Sequence, residues 1–464
     1  MPPLLVRLLQ RSFNPGAPSS EFSQQWTNPG DVFSVLLILG GDVVGRALAQ
    51  LAGSGLTPVA FSFGWVAYAV TAVVSAVGEN KLMPLPDCTC KVINGKTGYV
   101  RDNSSWIIGR IVRDFEEWMD EGMKGGPIKK RLDEMINERW QMDKTAAVKK
   151  ARDSGEPLKS IKKPTQAGLC VSIYKAEKAQ PGYPGHDLIY FIGFVTILVQ
   201  LGIAAIPCGL FGDWGILLVT ICGIILSLAT GSLGQWREEK WACRKESQKS
   251  VILTRGNGSQ HAFVILGDGK GLDLEDLAAG PMNADVSASK LTRLAIIILA
   301  VCWILLLITA AGIKQNTWFL LAIGGVGILQ NIYVAGQIRF PEAFGVPLKF
   351  EGVIGEAKVM NALFALEEKY PHLGKSLLDT FFPGKLWPEE YQKWEELERK
   401  ATKAEREEEL VELKKNGNLE KAAKLEEKIW LEEAATVMLK EAIKSEEAAR
   451  KDVVARLKRA AGNQ

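Results

Sequence analysis

The sequence predicts an all-α polytopic membrane protein with six transmembrane helices, minor β-hairpins in cytosolic loops and a helical cytosolic C-terminal tail. Two observations lead to this prediction. Long apolar stretches recur along the 464 residues, and the charged residues lie between and after them, although the net charge is only +3. A helix needs about 20 apolar residues to cross a bilayer core. This segregation excludes a single soluble globule, and the near-neutral charge gives no support to nucleic-acid binding.

Five stretches of membrane-spanning length contain no charged residue: Leu56–Gly78, Leu188–Leu210, Trp214–Trp236, Leu294–Ile313 and Gln315–Ile338. A buried helix of a soluble protein normally keeps a polar stripe over such a length, so these stretches predict transmembrane helices. Val32–Leu51 is expected to be the sixth, because it opens on an apolar run even though it carries Asp42 and Arg46.

The six spans are expected to pair into three hairpins, over residues 32–78, 188–236 and 291–338, with tight connections at Ala52–Gly55, around Pro207–Asp213 and around Lys314. Lysine and arginine residues near span ends lie almost entirely in the longer segments. Such residues stay in the cytosol, so both termini and both long loops are predicted to be cytosolic. The cytosolic regions are then an N-terminal tail 1–31, a loop domain 79–187, a β-hairpin loop 237–290, linker helices 339–384 and a charged tail 385–464.

Two β-hairpins are expected in the cytosolic loops. One has Asn94-Gly95 between short β-branched runs in Lys91–Arg101, and the other places Gly256–Gly258 between VILTR and HAFVIL. Because an isolated hairpin is marginally stable in water, the two loops are expected to share one small sheet. An amphipathic helix is predicted to begin at Pro127. It is expected to pack on its neighbour, and the alternative is that this basic helix lies on an anionic membrane surface.

The tail, residues 385–464, holds 18 basic and 19 acidic residues among its 80. A helix is expected from Pro388 to about Lys415, followed by a break at Asn416-Gly417-Asn418 and a second helix. The apolar seam before this break is short and is interrupted by Glu408. A charged helical hairpin is therefore favoured over a self-associating coiled coil, and either would offer a surface to a protein partner.

The candidate site lies inside the membrane. Asp42 and Arg46 are four residues apart, so they share a helix face and can neutralise each other. A charge at the bilayer centre costs about 2.5–3.5 kcal/mol on insertion scales. In a functional interpretation Asp42 belongs to a proton or ion path. In the favoured structural interpretation the pair joins its helix to Gln200, Gln330 or Asn331 of other spans, and these five residues form the candidate intramembrane polar site.

No catalytic motif or cofactor-binding motif stands out in the sequence, so no cofactor is expected. Cys88-Thr89-Cys90 is a close cysteine pair, but zinc sites usually need four ligands, and free thiols or palmitoylation are the alternatives. The predicted function is a non-enzymatic membrane scaffold or sensor with large cytosolic regions. Its partners would be the lipid bilayer and a protein bound by the C-terminal helices. The alternative is a solute or ion transporter that uses Asp42 and Arg46.

Three stretches resemble a group of uncharacterised multi-pass membrane proteins of filamentous fungi: His186–Gly215, the loop sequence SVILTRGNGSQHAFVILGDG and Gly355–Ser376. The resemblance extends over the spans and most of the loops, while the charged tail is less typical of the group. It implies a polytopic membrane architecture and brings no known activity, ligand or site residue.

Overall fold

The structure is a computed structural model that describes residues 32–79, 81–154, 160–282 and 286–431, with 434, 438, 441 and 445. For residues 32–39, 154 and 281 it describes the backbone alone. The chain divides into two compact units, Met1–Ala362 and Leu363–Gln464. The described part of the first unit holds an apolar helical bundle and a β-sheet, and that of the second unit is helical.

The helices and strands follow one another along the whole described chain. The helices are α1 (Val32–Leu51), α2 (Gly64–Val74), α3 (Trp106–Arg113), α4 (Phe115–Trp118), α5 (Pro127–Ser154), α6 (Leu188–Phe211), α7 (Gly215–Gly231), α8 (Gly234–Lys240), α9 (Leu274–Ala279), α10 (Lys290–Ala311), α11 (Thr317–Gly336), α12 (Val359–Lys369), α13 (Leu373–Phe381) and α14 (Pro388–Lys415). The strands are β1 (Lys91–Asn94), β2 (Val100–Asp102), β3 (Leu169–Ala176), β4 (Lys245–Ser247), β5 (Val251–Thr254), β6 (His261–Leu266), β7 (Gly271–Leu272) and β8 (Leu348–Glu356).

Six of the strands form one mixed sheet in the order β2-β1-β5-β6-β3-β8, with β3 and β6 parallel and the other pairs antiparallel. The all-α class is therefore wrong for the loops, which build a sheet rather than minor hairpins. The sequence analysis missed β3 and β8 of this sheet, and also β4 and β7, which pair in a separate two-stranded sheet. A largely apolar run like β3 is typical of a central strand buried on both faces, and its period does not separate it from a buried helix.

Both predicted hairpins are present, and they pair with each other through β1 and β5 as expected. The Asn94 side chain fixes the first turn, since its Oδ1 accepts hydrogen bonds of 3.0 Å from the N–H groups of Lys96 and Thr97. Gly98 closes this turn with a φ of 71°, which favours glycine. We call the sheet and the helices beside it the sheet domain, residues 81–187, 241–282 and 341–356.

Helix α5 begins at Pro127 as predicted. The Asp120 carboxylate accepts hydrogen bonds of 2.9 Å from the N–H groups of Ile128 and Lys129, and so caps the first turn. Arg131 donates to the Gly355 carbonyl oxygen at 2.9 Å and ties this turn to β8. The first turns of α5 therefore pack on a neighbouring strand, in agreement with the first of the two expectations.

Among the described residues, four helices are long and apolar enough to cross a membrane, within Leu188–Phe211, Gly215–Lys240, Lys290–Ala311 and Thr317–Gly336, so four of the six predicted spans are confirmed as helices of this kind. These helices form two antiparallel hairpins, α6 with α7 and α10 with α11. Their tight connections lie together, because Asn316 Nδ2 donates to Asp213 Oδ2 at 3.1 Å. Over the second predicted span, Leu56–Gly78, the helix begins only at Gly64 and continues as a π-helical turn over Ser75–Glu79.

The second unit contains α13, α14 and most of α12. The rings of Phe364 and Trp394 lie 4.9 Å apart, which packs α14 against α12 within this unit. Helix α14 ends at Lys415 and another helix occupies 419–431, so the predicted break at Asn416-Gly417-Asn418 is confirmed. Lys414 Nζ lies 2.6 Å from Glu426 Oε1 across the turn, as in a helical hairpin.

Candidate functional site: an extended segment inside the bundle

Residues 57–63, which connect α1 and α2, are non-helical and wholly buried, and we call them the re-entrant segment. Thr57 Oγ1 donates to the carbonyl oxygen of Gly231, the last residue of α7. Phe63 lies against Gly324, twelve residues before the end of α11 at Gly336. Twelve helical residues correspond to about 18 Å. The segment therefore enters the bundle at the end that carries the sheet domain and reaches about half its depth.

Helices α1 and α2 run in the same direction, because Gly40 lies against Gly64 while Gly45 lies against Tyr68. The connection at Ala52–Gly55 consequently lies beside the sheet domain, where the Ser54 N–H donates to the Gly182 carbonyl oxygen at 2.6 Å. The predicted first hairpin, residues 32–78, is therefore wrong. Two parallel helices need a return path between them, and the re-entrant segment provides it.

Five glycines of the surrounding helices make room for the re-entrant segment, and we call them the glycine groove: Gly193, Gly223, Gly231, Gly324 and Gly327. A Cβ atom at Gly327 would overlap the carbonyl oxygen of Phe61, and one at Gly193 would overlap that of Pro58. By contrast, a Cβ at Gly325 would meet open space. These five glycines thus allow a non-helical backbone to approach the helices closely.

Gln200 supplies the re-entrant segment with hydrogen-bond donors. Its Nε2 atom donates to the Phe61 carbonyl oxygen at 2.7 Å and to the Ile323 carbonyl oxygen at 2.9 Å. Gln200 has no exposed surface. Since non-helical backbone at membrane depth must be satisfied from within the protein, this amide replaces the hydrogen bonds that a helix would have made for itself.

Gln330 and Asn331 act on the next part of the same backbone. Gln330 Oε1 accepts from the Ala60 N–H at 3.2 Å, and Asn331 Nδ2 donates to the Ala60 carbonyl oxygen at 3.2 Å. The Trp65 indole N–H also donates to that carbonyl oxygen, at 2.9 Å. We call Gln200, Gln330 and Asn331 the amide triad. The structure thus brings together three of the five residues of the predicted polar site.

Asp42 and Arg46 lie elsewhere. They form an ion pair at 3.1 Å, with the Asp42 side chain 75% exposed and the Arg46 side chain 49% exposed. Arg46 also lies 3.8 Å from Asp87, in the sheet domain. The expectation that this pair joins its helix to the amide triad is therefore wrong, because the pair faces outward from the bundle.

Two adjacent residues at the end of α8, Glu239 and Lys240, hold the chain on both sides of the part formed by the re-entrant segment and α2. The Glu239 carboxylate accepts from the N–H groups of Leu82 at 2.8 Å and Met83 at 2.7 Å, beyond the π-helical turn that follows α2. Lys240 Nζ donates at 2.9 Å to the carbonyl oxygen of Ala52, directly after α1. We call Glu239 and Lys240 the charged clamp.

Arg339 reinforces the same junction from the end of α11. It donates to the Asp187 carboxylate at 2.7 Å and to the Gln50 carbonyl oxygen at 2.8 Å. Lys240 also donates to the Gln50 carbonyl oxygen, at 3.2 Å. Two buried cations thus meet the carboxyl end of α1, where the helix dipole is negative. The sequence analysis used basic residues near span ends only as markers of membrane orientation and missed this bonding.

Aromatic rings surround the ammonium group of Lys240. Its Nζ lies 5.5 Å from the ring centre of Trp106, 4.9 Å from that of Trp241 and 5.7 Å from that of Phe344. Electron-rich ring faces attract a desolvated cation. All three rings belong to the sheet domain, so this contact joins that domain to the end of the bundle.

A small cavity lies among the described helices of the bundle. This cavity has a volume of about 10 Å³ and is lined by Tyr68, Ala69, Ala72, Leu82, Thr230, Leu233, Ile296, Leu299, Ala300 and Trp303. A space of that size holds about one water molecule. Neither Asp42 nor the amide triad lines it.

The cysteine pair of the sheet domain consists of free thiols, and one of them is buried. Cys88 and Cys90 are free, and burial raises the pKa of the Cys90 thiol to about 12, which keeps it protonated at neutral pH. Within the described residues, no three or more His, Cys, Asp or Glu side chains are grouped as they would be to hold a metal ion.

Comparison with known proteins adds no relative to these observations. No family model matches the chain, and no curated protein or solved structure is significantly similar to it. Fold alone does not define a function, so the function is inferred from the geometry of the site.

Proposed function

We propose that the protein is an integral membrane scaffold or sensor without catalytic activity, in which the sheet domain is fixed to the membrane bundle. The observation that supports this most directly is the charged clamp. Glu239 binds the backbone after α2 and Lys240 binds the backbone after α1, while the rings around Lys240 belong to the sheet domain. A conformational change in the sheet domain or in the membrane bundle would therefore alter the contacts of the re-entrant segment.

The use of the polar groups favours a scaffold or sensor over a transporter. The amide triad binds the backbone of residues 60 and 61. Irregular backbone at membrane depth occurs where it is buried in protein or lines a water-filled cavity, and here the re-entrant segment is buried. Asp42 lies on the outer face of the bundle, apart from the triad.

In the proposed topology the sheet domain and the second unit face the cytosol, where the basic residues near span ends place them. Asn103 and Asn257 are glycosylation acceptors in sequence and lie in the sheet domain, so neither should carry a glycan. A glycosidase-sensitive mass shift that disappears with Asn257→Gln would reverse the orientation.

The predicted cytosolic N-terminal tail, residues 1–31, lies outside the described residues. The direction of α1 favours the opposite side of the membrane for its first residue, Val32, because α1 ends beside the sheet domain at Leu51. An epitope placed before Met1 tests on which side of the membrane the N-terminus lies. A protease is added to sealed vesicles, and the cleavage of this epitope is compared with that of an epitope placed after Gln464. If only one of the two epitopes is cleaved, the termini lie on opposite sides of the membrane.

Hydrogen–deuterium exchange of the full chain in lipid nanodiscs tests the proposed function. A scaffold with a sealed bundle predicts slow exchange at the Ala60 and Phe61 amides, comparable with exchange inside α11. A transporter whose path follows the re-entrant segment predicts much faster exchange at these two amides than inside α11.

The clamp variants complete this experiment. Glu239→Ala should accelerate exchange over residues 57–63, since the N–H groups after α2 lose their acceptor, whereas Glu238→Ala at the exposed neighbouring position should not. Equal exchange in the two variants would contradict the coupling role of the clamp. Proton flux in proteoliposomes that Asp42→Asn abolishes would establish the transporter instead.

A further inference from the structure

A cavity of about 320 Å³ lies in the sheet domain, apart from the bundle and the clamp. Its lining residues come from the α3–α4 corner, from Gln166 and from the β5–β6 turn: Val112, Phe115, Glu116, Gln166, Leu253, Thr254, Arg255, Asn257, Gly258, Ser259, Gln260, His261 and Phe263. Cavities that bind small molecules begin at about 300 Å³ and combine an apolar wall with a few polar groups. This cavity has that size and composition.

The turn between β5 and β6 is held in place by its own hydroxyl groups. Thr254 Oγ1 accepts from the Gly256 N–H at 3.2 Å, and Ser259 Oγ donates to the His261 carbonyl oxygen at 2.9 Å. Gly256 has a φ of 98° and Gly258 one of 88°, so this turn requires glycine at both positions. These hydrogen bonds and glycines fix the polar rim of the cavity.

Arg255 is the one cation in the cavity lining. Its Nη2 donates to the carbonyl oxygens of Val112 at 3.3 Å and Arg113 at 3.2 Å, at the carboxyl end of α3. These bonds position the guanidinium group, while its Nε and Nη1 atoms remain for a ligand. A guanidinium group binds carboxylate and phosphate oxygens through paired N–H donors.

The other side of the cavity is apolar and aromatic. Phe115 stacks on Phe263 with ring centres 4.5 Å apart, and the His261 ring meets Phe115 at 5.4 Å. Burial lowers the pKa of His261, so this imidazole is neutral at neutral pH. A ligand held by Arg255 would thus place its apolar part against aromatic rings.

Glu116 limits the charge of such a ligand. It is the one carboxylate in the lining and stands exposed beside Phe115. A second negative charge on the ligand would be repelled by it, which discriminates against phosphate dianions and in favour of monoanions.

From this arrangement of charge and shape we infer that the sheet-domain cavity binds a small organic monoanion with an apolar group, through Arg255 and the wall formed by Phe115 and Phe263. This binding site is independent of the proposed scaffold role, since it uses neither the clamp nor the re-entrant segment. A sensor with such a site would respond to a small carboxylate.

Benzoate is a suitable probe, with benzyl alcohol as its neutral counterpart and inorganic phosphate as the multiply charged anion. The full chain, selectively labelled with ¹³C at its three histidines, is titrated in detergent micelles at constant ionic strength. Benzoate should shift the His261 resonance in a saturable way, while His186 and His372 should stay in place. Benzyl alcohol and phosphate should each bind at least about tenfold more weakly than benzoate. Benzyl alcohol lacks the charge that Arg255 binds, and phosphate carries a second negative charge that Glu116 repels.

Two variants of the lining test the assigned roles. Arg255→Gln should weaken benzoate binding about tenfold or more, and Glu116→Gln should strengthen it a few-fold. Unchanged His186 and His372 resonances show that each variant is folded, and Arg152→Gln on α5 serves as the control for lost positive charge. The absence of a saturable His261 shift, or equal benzoate binding by wild type and Arg255→Gln, would overturn the inference. Tighter binding of phosphate than of benzoate would overturn the monoanion preference.

Discussion

The amide triad and the Asp42–Arg46 pair are both polar groups in apolar helices, yet the structure treats them in opposite ways. Gln200 is wholly buried and bonded to the backbone of the re-entrant segment, whereas the Asp42 side chain is 75% exposed and bonded to its neighbour one turn away. Charge was the more conspicuous signal in the sequence. The neutral amides are the residues that hold the bundle together, because the re-entrant backbone needs donors and acceptors at a depth where water is absent.

The largest effect is expected in the glycine groove. Gly327→Ala places a methyl group onto the Phe61 carbonyl oxygen, and overpacking of this kind costs about 3 kcal/mol. Gly325→Ala, two residues earlier on the same helix, meets open space and should change stability by less than about 1 kcal/mol. Thermal unfolding in detergent, followed by tryptophan fluorescence, measures both variants. Equal melting temperatures would show that the re-entrant segment does not occupy the groove.

An intermediate effect is expected from the amide triad. Gln200→Met keeps the side-chain volume and leaves the Phe61 carbonyl oxygen without its donor, at a cost of about 1–3 kcal/mol. Leu198→Met, on the exposed face of the same helix, is the matched control. A Gln200→Met protein as stable as the control would show that water satisfies the segment, and would bring back the interpretation of a polar path.

The smallest effect is expected from the ion pair. The pair lies on the outer face of the bundle, and Arg46 keeps Asp87 as a second partner at 3.8 Å, so Asp42→Ala should lower the free energy of unfolding by no more than about 1 kcal/mol. The double variant with Arg46→Ala should match the single one within error, in contrast to a buried pair, where removing the second charge restores stability. A loss above about 2 kcal/mol that the double variant recovers would place the pair in a buried setting.

Local signals in the sequence were sufficient for several elements. The long charge-free stretches within α6, α7, α10 and α11 predict helices of membrane-spanning length. The turn at Asn94-Gly95 and the break at Asn416-Gly417-Asn418 are set by residues that favour turns. The β3 strand was missed because a short apolar run fits a strand and a buried helix equally well.

The sequence by itself determined which parts of the chain are apolar, where helices start and stop, and which turns form, since these depend on neighbouring residues. The tertiary structure alone decided the path of Leu56–Gly78. Its composition suits a helix, and its local warning was Pro58, which disfavours helical backbone at Thr57. An extended path becomes possible only when Gln200, Gln330 and Asn331, distant in sequence, meet its backbone and five glycines leave room for it. The decisive hydrogen bonds join the re-entrant segment to helices that lie more than a hundred residues further along the chain, and no local sequence pattern encodes them.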